Sequence, residues 1–167
     1  MQSKAPILFL PLVMIVVSMM AGCPATLAPN YDKALLDGLI ATNTEVMEFL
    51  ASVDGGTQKD TFSQRKEKYD RLIGHFNALE IQANARPVPK NKVVEEINVL
   101  LDKRGILLSD DSQAPSATAL RKISETLLKM KKTDGKQGLS SIEVLAFKNQ
   151  IAIYLDQALT YESFLER

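Results

Sequence analysis

Apolar residues in this chain recur at spacings of three and four along several long stretches, and none alternates convincingly with polar neighbours. A helix repeats every 3.6 residues and a strand every two, so the pattern calls for helices and supplies no sheet. The last stretch is the clearest. Ser140 and Glu143 have the spacing of a capping box, and Leu139 and Val144 that of a hydrophobic staple. Val144, Phe147, Ile151, Tyr154, Ala158, Tyr161 and Leu165 then mark an inward stripe, predicting a helix over about Ser141 to Leu165.

Three further long helices are expected. The first covers about Tyr31 to Val53, capped by Asn30, with Leu35, Leu39, Thr42, Val46, Phe49 and Val53 inward. Leu36, Ile40, Met47 and Leu50 widen that stripe, Asn43 sits at its edge, and Asp54-Gly55-Gly56 ends the helix. The second covers about Phe62 to Ala85, with Thr61 and Gln64 spaced as a capping box. Phe62, Tyr69, Leu72, Ile73, Phe76, Leu79 and Ala83 face inward, and Gly74 with Ala78 would let another backbone come close. The mixed charges from Arg65 to Arg71 read as a solvated face.

Arg86-Pro87-Val88-Pro89 is a stiff break, because proline fixes its own backbone and pushes its predecessor out of the helical region. A shorter helix is expected over about Asn91 to Lys103, then an apolar connector, Ile106 to Leu108, and a polar loop, Ser109 to Gln113. The remaining long helix starts at Pro115 and runs to about Lys132, with Leu120, Ile123, Leu127 and Met130 inward and Asp134-Gly135 as its stop. Lys129, Lys131 and Lys132 suit the negative end of its dipole. The expected fold class is therefore all-α: an antiparallel helical bundle of four long helices plus one shorter helix, one domain over residues 31–167.

The start of the chain is different. Lys4 precedes an apolar run from Ile7 to Met19, followed by the small residues Ala21 and Gly22. That is the three-part layout of an export signal over residues 1–22. The run is interrupted by Pro11 and falls short of the roughly 18 to 20 apolar residues a spanning helix needs. Cys23 follows at once and is the single cysteine of the chain, so it has no internal disulfide partner.

Met20-Ala21-Gly22-Cys23 resembles the processing motif of bacterial membrane lipoproteins, with Met20 where leucine is usual. The resemblance covers the first 23 residues. It implies cleavage between Gly22 and Cys23, a diacylglyceryl group on the Cys23 thiol and acylation of the new amino terminus. Two or more chains are what stable anchoring takes, since one acyl chain binds a bilayer only marginally. Pro24 stands where an aspartate would signal retention in the inner membrane, which implies the outer membrane, inner leaflet, facing the periplasm. A Gram-positive host would make it a cell-membrane lipoprotein instead. Residues 23–30 form the lipidated terminus and a short tether. Tyr69 to Pro89 resembles uncharacterised exported helical proteins of no named family.

The chemistry-bearing residues are sparse. Lys and Arg number 20 and Asp and Glu 20, a balance that argues against nucleic acid as a partner. His75 is the single histidine and reads as a packed or half-exposed side chain. No metal-ligand spacing, phosphate loop or nucleophile turn occurs, and Glu95-Glu96 diverge on a helix. Asp110-Asp111 lacks the alternating ligands of a calcium loop. No catalytic residue, cofactor or metal site is expected. The expectation is a non-catalytic protein-interaction or envelope-structural module with an envelope protein as partner. A lipid or small-ligand carrier and an inhibitor or immunity-type lipoprotein stand as alternatives.

Overall fold

The computed structural model describes residues 28–87 and 113–166. Among these it forms α1 (Lys33–Ser52), a 3₁₀ turn (Lys59–Thr61), α2 (Ser63–Asn84), α3 (Pro115–Gln137) and α4 (Ser141–Leu165). α2 packs extensively on α3 and α3 on α4, while α1 closes the ring by touching α2 and α4. The expected all-helical bundle is present. The expected helix over Asn91–Lys103, the Ile106–Leu108 connector and most of the following loop lie outside the described residues, as do Gly22 and Cys23.

The bundle has two distinct ends. α1 runs away from the tether, α2 returns, α3 runs out and α4 returns. At one end, Arg86 Nη1 donates to the backbone oxygen of Asn30 (3.3 Å) and to Glu162, so the start of the bundle meets the ends of α2 and α4. This is the tether end. At the far end the α1–α2 and α3–α4 loops clasp each other. Thr57 N–H donates to Leu139 O (2.7 Å) and Leu139 N–H to Thr57 O (3.2 Å), a single antiparallel bridge. The clasp needs two glycines. Gly56 (φ +95°) and Gly138 (φ +82°) adopt the left-handed region, and a Cβ on Gly138 would lie 2.5 Å from Thr57 O.

The core follows the expected stripes closely in α1 and α2. Leu35, Leu39, Val46, Phe49, Tyr69, Phe76 and Ala83 are fully buried, and Phe49 meets Tyr69 edge to face at 4.7 Å. Burying each large apolar side chain is worth about 1.5–3 kcal/mol. Ile40 departs from the expectation: it is half exposed, because the inward arc of α1 centres on Leu35, Leu39, Val46 and Phe49.

Several local expectations are corrected. Asp32, not Asn30, caps α1, its Oδ1 accepting from Leu35 N–H (3.1 Å). The Thr61–Gln64 capping box is absent. The 3₁₀ turn runs directly into α2, and the Thr61 hydroxyl donates instead to Gln58 O (2.9 Å). Gly74 has no atom within 4 Å of where a Cβ would stand, so it admits no close backbone. Close approaches fall elsewhere, at Gly38 against Leu79 (3.0 Å) and Gly135 against the Phe62 ring (3.1 Å). α3 passes through Asp134-Gly135 and stops at Gly138, so the lysines from Lys129 to Lys132 lie before its last turn. Lys131 reaches across to Asp70 on α2. The expected capping box of α4 is formed: Ser140 Oγ accepts from Glu143 N–H, and Glu143 accepts from Ser140 N–H (2.8 Å).

Candidate functional site

Two charged clusters sit inside the bundle, one near each end, and either would be the first place to look for chemistry. At the far end Asp134 is fully buried. It accepts from Arg65 Nε (2.9 Å) and Nη2 (2.8 Å), from Thr57 Oγ1 (2.6 Å) and from Tyr69 Oη (3.2 Å). Burial alone would raise its carboxyl. The hydrogen bonds from Arg65, Thr57 and Tyr69 and the guanidinium charge outweigh that and hold it below the usual carboxylate range. Burial, and then the Asp134 charge, push the Tyr69 hydroxyl well above its ordinary value, so it stays protonated.

This cluster is saturated. Besides Asp134, Arg65 donates through Nη1 to Thr61 O (3.1 Å) and Thr61 Oγ1 (2.9 Å), and through Nη2 to Gln58 O (3.0 Å). All five guanidinium hydrogens have acceptors. A surface depression of about 390 Å³ opens above Arg65, between Ser52, Gly55, Gln58 and Leu139. Its one cation has nothing left to offer an anion, and Asp134 has no lone pair open as a base. Arg65 is thus a strut and not part of a solvated face; only its neighbours Lys66, Glu67, Lys68, Asp70 and Arg71 are exposed.

The tether-end cluster is also a buried ion pair, but it is not saturated: among the described residues Arg86 Nε is buried with no hydrogen-bond partner. Glu162 is fully buried and accepts from Arg86 Nη1 (2.8 Å) and Nη2 (2.5 Å). Nη2 also approaches Ser116 Oγ (3.4 Å), drawing in the start of α3. Glu162 displaces the expected inward stripe of α4. Val144, Ile151, Leu155, Ala158 and Glu162 form the buried line, leaving Phe147, Tyr154, Tyr161 and Leu165 half-buried on its flank.

His75 lies on the surface of α2, half exposed, with Nδ1 3.3 Å from Glu45 Oε2 on α1. Among the described residues no three His, Cys, Asp or Glu side chains gather as metal ligands. No described helix is long and apolar enough to cross a membrane.

The surface feature that stands out is the outer side of α4. Ile142 (78 % exposed), Leu145 (55 %) and Ile153 (58 %) project into solvent from one helix. At 3.6 residues per turn, Ile142 and Ile153 point within about 20° of each other, on the side of α4 away from buried Ile151. Ala146 and Asn149 are exposed between them. Asp156 is the one charged residue of α4 that is exposed, since Glu143 and Lys148 are half-buried and Glu162 is buried. The other exposed large aliphatics, Ile40, Ile81 and Leu128, stand singly on three other helices, which is ordinary for a protein surface. Sequence reasoning missed the α4 stripe by following the inward residues alone. The available signal was that α4 is apolar on both sides, where a helix with one face in solvent is polar on the other.

Comparison with protein-family models, with curated proteins and with solved structures finds no match.

Proposed function

We propose that this protein is a lipoprotein moored through Cys23 and that its bundle is a non-catalytic protein-interaction module facing the periplasm from the outer membrane. The observation that carries the interaction reading is the α4 outer face, an uncharged apolar stripe on the side of the helix away from the core. Exposed aliphatics aligned on one helix cost solvation unless a second surface covers them, and such patches mark contact sites. The non-catalytic reading is supported by the saturation of the Arg65–Asp134 cluster, whose guanidinium hydrogens and carboxylate lone pairs are all taken. The anchoring reading is supported by the Met20-Ala21-Gly22-Cys23 motif alone.

Two measurements test the two halves separately. A photo-crosslinking residue at Ile142 or Ile153 in intact envelopes is expected to trap a discrete product, and one at Lys132 on α3 is not. Equal, diffuse labelling from all three positions would overturn the interaction reading. Metabolic labelling with an alkynyl fatty acid is expected to mark the native chain and not the Cys23→Ser variant. An unlabelled native chain would overturn the anchor.

A further inference from the structure

We draw no further inference here: the strongest candidate, the outer surface stripe of α4 carrying Ile142, Leu145 and Ile153, is an unpartnered apolar face, and nothing in the structure shows what covers it.

Discussion

Arg65 closes on Asp134 through both of its outward donors, at 2.9 and 2.8 Å, joining the first turn of α2 to the last turns of α3 across 69 positions of sequence. Asp134 is fully buried and Arg65 nearly so, and the same carboxylate fastens the α1–α2 loop through Thr57. Three elements thus share one acceptor at the far end of the bundle.

Removing one partner leaves the other charged and dry. Asp134→Ala is expected to destabilise the fold by about 3–5 kcal/mol, read as a lowered urea midpoint. The double variant Arg65→Met, Asp134→Leu is expected to cost far less than the sum of its single changes, because an apolar pair leaves no buried charge. A strictly additive double variant would contradict the strut.

Acid acts on the same group with a defined sign. Asp134 titrates below its ordinary 3.8 in the fold and near that value when unfolded. The unfolded chain therefore binds the proton first as pH falls. The stabilisation is complete above the unfolded value and is lost as pH drops through the lower, folded one. The stability gap between the native chain and Asp134→Asn is expected to hold steady from neutral pH down to near the unfolded value of 3.8 and to narrow as pH falls further below it, in urea titrations at each pH.

Glycines at two positions should respond oppositely to alanine. Gly74 is exposed in the middle of α2 with nothing near its missing Cβ, so Gly74→Ala is expected to stabilise by about 0.5–1 kcal/mol. Gly138→Ala places a Cβ 2.5 Å from Thr57 O at a positive φ, so it is expected to lower the thermal midpoint and loosen the loop clasp.

Ser140→Ala removes the acceptor for Glu143 N–H at the start of α4 and breaks the reciprocal cap. The expected loss is about 1 kcal/mol. Circular dichroism melts of Ser140→Ala and Ser140→Asp should separate the cap from mere surface change, since aspartate restores an N-cap acceptor.

The inward faces of α1 and α2 were legible because apolar side chains at helical spacing have one economical place to go. The Ser140–Glu143 cap was legible for a similar reason: it is a contact between neighbours in sequence. Arg65, Asp134, Arg86 and Glu162 were not. In sequence each looks like one more surface charge, and their partners lie 69 and 76 positions away. The outer stripe of α4 was hidden in the same way, because Ile142 and Ile153 look like core residues until the position of the core is known.

For the described residues, local periodicity and capping chemistry by themselves determined an all-helical fold, the helix positions to within a turn, the end of α3 excepted, and one helix start. Which charges are buried, where α3 stops and which side of α4 is left bare were decided only when the helices packed. A buried charge or a bare apolar face depends on what lies across the bundle, and that partner is set by tertiary contact, not by sequence distance.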